Sequence, residues 1–285
     1  MYKLTGFADE IDPSLAKQLE VLGKLGIKHI EMRGVDGRPL IEHSLKEAEQ
    51  IKARLEDEGV SLSSIGSSIG KILITDDFSP HFELFKHTVR LAKLLGTRNI
   101  RMFSFFMPRE DEPERWRDEV MRRLEALADY AAKEDMVLLH ENEKDIYGDT
   151  LPRVEDIAEH FFSDSFKLVF DFANFVQCRQ DTIEAWRELS KYVAYMHIKD
   201  ALWENGEVVP PGTGDGHLEP ILRDAKDKGY TGYLSLEPHL SDFTGFKTLE
   251  REESTVRRRL TGEEAFTLSY ESLMKITKRL GWERT

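Results

Sequence analysis

Eight short β-rich runs recur along the chain, each separated from the next by a longer amphipathic segment. The runs are YKLTGF, KHIEMR, SLSSIGS, RNIRMFS, MVLLHEN, FKLVFDF, VAYMHIKD and GYLSLEP. Strands separated by single helices must pair in parallel, because a hairpin cannot be made across a helix. Eight such units match one closed (β/α)8 TIM barrel. The segments between them carry helical stripes. In PSLAKQLEVLGKLG, Leu15, Leu19, Leu22 and Leu25 share one face and Gly26 stops the helix. HFELFKHTVRLAKLLG repeats the design with Phe82, Phe85, Val89, Ala92 and Leu95 before Gly96. RDEVMRRLEALADYAAKED and LEPILRDAKDKG do so again.

A doubly wound open sheet is the competing arrangement, and it normally places a glycine-rich phosphate loop after its first strand. Here that position reads GFADEIDP, with one glycine and three acids. No linker, low-complexity tract or break in composition divides the chain, so residues 1–285 read as a single α/β barrel domain. From Leu240 to Thr261 the text is polar and long. It reads as an excursion after the eighth strand, followed by a last helix in GEEAFTLSYESLMKITKRLG, a C-terminal extension.

Charge and composition narrow the partners. A net charge of -13 repels nucleic-acid phosphates and anionic membranes, so neither is expected to bind. No apolar stretch approaches the ~18 residues of a membrane span. The start, MYKLTGFADE, lacks the basic and apolar regions of a signal peptide, and a cytoplasmic location is expected. The single cysteine, Cys178, excludes an intramolecular disulfide and any CxxC site, and reads as a packing residue. Neither a Walker nor a Rossmann loop is present, so no organic cofactor is implied.

In a barrel of this type, functional groups sit at the C-terminal ends of the strands. Four consecutive strands end in a side chain able to bind a metal or move a proton. VLLHE delivers Glu141, KLVFD delivers Asp171, VAYMH delivers His197 and YLSLE delivers Glu237. Each follows the last by about one strand–helix unit, so all four can converge on the barrel mouth. A carboxylate at the end of an apolar strand faces a desolvation cost of several kcal/mol unless it is paired or ligates a cation. Three carboxylates and an imidazole in one ring therefore call for a divalent ion. The mixed oxygen and nitrogen set suits Mn²⁺, Mg²⁺, Co²⁺ or Zn²⁺. Alternation within VLLHEN puts Glu141 and Glu143 on one side and sends His140 toward the helical layer.

The motifs LLHEN, FDFANF, HIKD followed by PPGTGDG, and YLSLEPH resemble the xylose isomerase-like TIM-barrel family of the AP endonuclease 2 superfamily. The opening GFADEIDPSLAKQLEVLGKLGIKHIEMR is similar to its first two units. That family includes sugar isomerases, ketose 3-epimerases, inosose and dehydroshikimate dehydratases, and the endonuclease IV branch. The resemblance implies a divalent ion held by Glu141, Asp171, His197 and Glu237. It also implies that Glu141 and Glu237 exchange a substrate proton through a metal-stabilised enediolate. The expected activity is that of a metal-dependent isomerase or epimerase on a sugar or related polyol. A dehydratase or lyase on a cyclic polyol or keto-sugar is the alternative, as is a non-catalytic sugar-binding barrel. Ketose epimerases of the family carry a histidine three residues after the ligand aspartate, where DFAN has Asn174; this departure weakens the free-ketose reading. A three-zinc endonuclease centre needs histidines at the ends of the third and fourth strands, and SSIGSS and RMFSFF have none.

Further residues are candidates for contact with a small sugar or polyol. Asn174 can bond a hydroxyl or cap a loop. Lys199 can reach a substrate oxygen, with Asp200 beside it anchoring a loop or forming a plain surface ion pair. His217 follows GTGDG, a sequence with no dinucleotide-loop spacing that reads as a flexible turn. Arg33 and Glu143 are candidates too, whereas Glu31, Arg33 and Arg101 also fit ion pairing in the barrel wall. Pro238 leaves the direction of His239 open. Phe103, Phe105, Phe106 and Trp203 fit an apolar lid, barrel-top packing or a contact between copies of the chain, so a homo-oligomer stays open.

Overall fold

The computed structural model describes residues 1–241 and 260–285. Eight strands appear where the alternation places them: β1 (Lys3–Gly6), β2 (His29–Met32), β3 (Ser61–Ile65), β4 (Asn99–Met102), β5 (Val137–Glu141), β6 (Phe166–Asp171), β7 (Val193–Ile198) and β8 (Tyr233–Leu236). They pair in parallel in the order β1-β8-β7-β6-β5-β4-β3-β2. A parallel bridge between Phe7 and Glu31 brings β1 to β2, leaving a nearly closed (β/α)8 barrel. The helices are α1 (Leu15–Lys24), α2 (Leu45–Asp57), α3 (Phe78–Leu95), α4 (Arg117–Lys133), α5 (Leu151–Phe161), α6 (Phe172–Gln177), α7 (Thr182–Leu189), α8 (Leu218–Asp227) and α9 (Gly262–Leu280). Most of the excursion after β8 lies outside the described residues.

Local sequence explains the helix ends. Ser44 and Glu47 form a reciprocal capping box on α2, and Thr261 and Glu264 form another on α9. Gly96 takes the left-handed conformation that closes α3, at φ 80°. None of the helices among the described residues is long and apolar enough to cross a membrane.

Strand alternation divides the interior into two regions. Leu4, Ile30, Leu62, Ile100, Leu138, Leu168, Met196 and Leu234 belong to one large apolar core shared with the helices. Among the described residues, a small separate apolar cluster of Leu139, Val169 and Tyr195 lies in the barrel lumen. The rest of the lumen is polar: Thr5, Glu31, Ser63, Arg101, His197 and Ser235 are all buried. Such groups are tolerated only when hydrogen-bonded or paired, so the lumen depends on the bonds among them.

His140 lies, as alternation requires, on the other side of β5 from Glu141, with its ring stacked on Phe166 at 6.3 Å. A side chain at Gly148 would put a Cβ 2.7 Å from His140 Cε1, so only glycine fits there. Burial lowers the His140 pKa to about 3. His81, whose Nε2 accepts the Gly70 N–H at 2.7 Å, is lowered to about 4, chiefly by burial and then by Arg123. The unfolded chain protonates both near pH 6.5, whereas the folded chain holds them neutral well below that. The unfolded state therefore binds more protons between about pH 6.5 and 4, and stability falls with pH through that window. Urea denaturation at pH 7 and pH 5 should show a lower midpoint at pH 5, and His81→Gln should reduce the difference. Equal midpoints would contradict the assignment.

Candidate metal centre

Glu141 and Asp171 are the last residues of β5 and β6, His197 is the penultimate residue of β7, and Glu237 directly follows β8. All four side chains are buried, and one ligand atom from each lies within 4.8 Å of the others. His197 is the hub. Its Nδ1 stands 2.8 Å from Glu141 Oε1, 3.4 Å from Glu237 Oε2 and 4.0 Å from Asp171 Oδ2. Lys199, two residues further on, places Nζ 3.0 Å from Asp171 Oδ2 and 3.2 Å from Glu237 Oε2.

Each ligand is held from behind. Arg101 donates to Glu141 Oε2 at 3.1 Å and to the carbonyls of Gly66 and Ser67, both at 3.2 Å. Its guanidinium lies near the rings of Phe7 and Phe103, 4.9 and 4.8 Å from their centroids. The Asn142 amide both donates to and accepts from the Asp171 backbone at 3.0 Å, locking the end of β5 to the end of β6. Asp171 caps α6, its Oδ1 accepting the Asn174 N–H at 2.8 Å. The Asn174 side chain donates to the Asn142 carbonyl at 2.9 Å and reaches Glu141 Oε1 at 3.4 Å. Arg33 contacts Glu237 Oε1 at 3.4 Å while holding Asp9 at 2.8 Å and Glu10 at 3.2 Å.

The electrostatics favour an added cation. Around the mouth, Asp9, Glu10, Glu31, Glu141, Glu143, Asp171 and Glu237 outnumber the fixed cations Arg33, Lys71, Arg101 and Lys199. Burial pushes Asp171 up to about 8, opposed by Lys199 and reinforced by Glu237 and Glu141. Glu10 is likewise raised to about 8, mainly by burial. Burial also works against ionisation of Glu237, but Lys199, His239, His197 and Arg33 hold it well below the carboxylate range. For His197, burial opposes the charged form, yet Glu141 and Glu31 outweigh it and raise its pKa strongly. A group of buried carboxylates strained in this way is relieved by a divalent ion. The oxygen and nitrogen donors present fit one.

The other residues singled out from the sequence divide into two sets. Lys199, Arg33, Asn174 and Glu143 gather at the mouth, Glu143 through a 3.1 Å pair with Lys71. His217 does not join them. It is exposed, caps α8 with φ 54°, and its Nδ1 bonds Thr182 Oγ1 at 2.9 Å. Glu31 and Arg101, read as wall residues, do form buried pairs in the lumen. Lys71, Asp9 and Glu10 were not singled out, because Lys71 lies in a loop and Asp9 and Glu10 in the short 3-10 turn Ala8–Glu10, where no periodicity dictates the course of the chain.

The GTGDG segment is more constrained than a flexible turn. The Asp200 carboxylate accepts the N–H groups of Ala201, Gly212, Gly214 and Gly216, each at 2.9 Å. A Cβ on Gly214 or Gly216 would fall 2.6 or 2.7 Å from Asp200 Oδ1, which accounts for both glycines. Asp200→Ala leaves four backbone donors without that acceptor and should destabilise the chain by about 1–3 kcal/mol. Amide exchange at Gly212, Gly214 and Gly216 should accelerate in the same variant. Unchanged exchange would show that the staple is dispensable.

A family model described as the xylose isomerase-like TIM barrel matches residues 19–260. The chain belongs to the xylose isomerase-like TIM-barrel family. Among curated relatives of this family member, a 3-dehydroshikimate dehydratase of Bacillus anthracis is 22% identical over 175 residues. That match covers 61% of this chain and 62% of the relative's length. Among solved structures, the IOLI protein with a bound zinc atom superposes with a TM-score of 0.75 at 17% identity, covering 98% of this chain and 99% of that one. An L-ribulose 3-epimerase gives 0.71 at 17% identity, covering 99% and 97%. These structural likenesses establish the fold that the strand pattern implied.

Proposed function

We propose that this family member is a metal-dependent enzyme that moves a proton beside the carbonyl of a small sugar or polyol derivative, as an isomerase or epimerase. One observation carries the reading. Glu141 and Glu237, from strands on either side of β6 and β7, both approach the same His197 nitrogen, at 2.8 and 3.4 Å. Each has its other oxygen held by a separate arginine, Arg101 or Arg33. Two carboxylates fixed around one point are suited to taking a proton from one face of a substrate and returning it to the other.

Glu141, Asp171, His197 and Glu237 would hold the ion. When bound, a divalent cation supplies Lewis acidity toward a carbonyl and its neighbouring hydroxyl. The chain's own groups do the rest. Glu141 acts as base, its other oxygen held by Arg101. Glu237, protonated from solvent before the step, gives that proton to the opposite face, while Glu141 later releases the one it took to solvent. The Lys199 ammonium shields the negative charge that gathers on the substrate oxygen. Asn174 holds the end of β6 in place and directs an amide toward Glu141.

A second reading is a dehydratase, in which Glu141 takes the same proton but a hydroxyl leaves. It is favoured by the sequence match to a dehydratase and by Asn174 standing where the ketose epimerases resembled have histidine. The two separate in one experiment. Ketoses, an inosose and dehydroshikimate are incubated in D₂O with protein loaded with Mn²⁺ or Zn²⁺. Carbon-bound deuterium with inversion supports the first reading, and loss of one water supports the second. A protein that takes up neither metal, and exchanges no proton, would overturn both.

A further inference from the structure

We propose that Glu31 is a positioning residue of the metal centre, fixing which nitrogen of His197 faces the ion. The inference rests on the metal-centre reading above. Glu31 lies in β2, outside the four ligands, and is fully buried. Its Oε2 stands 3.2 Å from His197 Nε2, the ring nitrogen turned away from Glu141, Asp171 and Glu237. Ser235 donates to the same oxygen at 2.6 Å. The Tyr195 phenol lies against this carboxylate, which helps to raise its pKa after burial. Tyr195 in turn bonds Ser63 at 2.9 Å, and Ser63 bonds Thr5 at 2.8 Å. These groups make a polar floor inside the barrel beneath the ligands. Phe7 closes one side of the imidazole, edge to face at 5.1 Å.

The chemistry follows from donor counting. A neutral imidazole carries one N–H and one lone pair, and an ionised carboxylate can only accept. The 3.2 Å contact between Glu31 and His197 is attractive only if the hydrogen sits on Nε2, since a lone pair there would face a carboxylate oxygen. The lone pair is then on Nδ1, the nitrogen that faces the other three ligands. Without Glu31 the opposite tautomer becomes accessible, and it would aim an N–H at the ion. A carboxylate behind a ligand histidine also raises the basicity of the ring, and losing such a partner typically costs about 10- to 100-fold in metal affinity. The barrel wall itself has no use for an acid here, since burying a carboxylate costs several kcal/mol unless its partners repay it.

The test uses the full chain and Zn²⁺ alone, titrated against a competing chelator. Glu31→Leu should weaken Zn²⁺ binding about 10- to 100-fold. Glu31→Gln keeps an oxygen for the Nε2–H and should restore most of the affinity. Nitrogen-15 spectra of the zinc-loaded wild type should place the His197 proton on Nε2, a readout that needs no variant to fold. Wild-type affinity in Glu31→Leu, or a proton on Nδ1 in the loaded protein, would overturn the proposal. A wild-type chain that takes up no Zn²⁺ would instead refute the metal-centre reading, and this inference with it.

Discussion

Glu141→Gln and Glu237→Gln will each lower turnover by about 10²- to 10⁴-fold, the usual contribution of a positioned acid or base. Glutamine keeps the volume of the side chain and one oxygen. Arg101 therefore retains an acceptor in the first variant, and Arg33 retains one in the second. The circular dichroism spectrum should be that of the wild type. What glutamine cannot do is receive a proton at neutral pH. Proton exchange in D₂O distinguishes the two roles: the variant lacking the base loses exchange altogether. The variant lacking the returning acid can still exchange from the first face while failing to complete inversion. Wild-type rates in both variants would sink the mechanism, and an equal loss of Zn²⁺ binding in both would shift their role toward ligation alone.

Arg101→Met should be the most damaging single change to stability, at about 3–5 kcal/mol, because it leaves a buried carboxylate without its cation. The methionine can still lie near Phe7 and Phe103, so lost packing is a small part of the effect. The main cost is electrostatic. Glu141 loses its 3.1 Å partner, and the Gly66 and Ser67 carbonyls lose a donor at the same time. Adding Glu141→Gln to Arg101→Met removes the stranded charge and should recover part of the loss. The double-mutant cycle then gives the pair's coupling directly. A midpoint shift equivalent to less than about 1 kcal/mol in the single variant would mean that water reaches Glu141 freely, contrary to its burial.

Repetition made the fold legible in the chain. One apolar run of four to six residues is ambiguous between strand and helix, but eight of them separated by striped segments admit few arrangements. The four candidate ligands were legible for the same reason. Each ends a run, and parallel strands in a barrel all end at one face. Their supporting charges were legible only in part: Lys199, Arg33 and Arg101 stood out, whereas Glu10 and Lys71 did not. Glu10 ends the 3-10 turn Ala8–Glu10 and Lys71 sits in a loop, while Lys199 stands among the ligands, paired with Asp171 and Glu237. His239 is placed by a backbone with φ 46° after Pro238, beyond the end of β8, so strand alternation gave no guide to it. Asp200 was legible as a loop anchor but not as the acceptor of four backbone hydrogens, because its partners lie up to sixteen residues further along. The register shift between Ile30 and Glu31 in β2 is equally silent in the text.

Each half of the barrel carries charges that the other neutralises. Glu141, Asp171, His197 and Glu237 come from the second four strands, whereas Arg33, Lys71 and Arg101 come from the first four and the loops that follow them. Severed from the first half, the second would be left with Glu141, Glu143, Asp171 and Glu237 against Lys199, whereas in the first Asp9, Glu10 and Glu31 offset Arg33, Lys71 and Arg101. Reunion of fragments cut between β4 and β5 would therefore have to restore the pairs that cross between the halves, Arg33–Glu237, Lys71–Glu143 and Arg101–Glu141. A half-barrel transplanted from a relative would be accepted only where its donor carried the same pattern of countercharge.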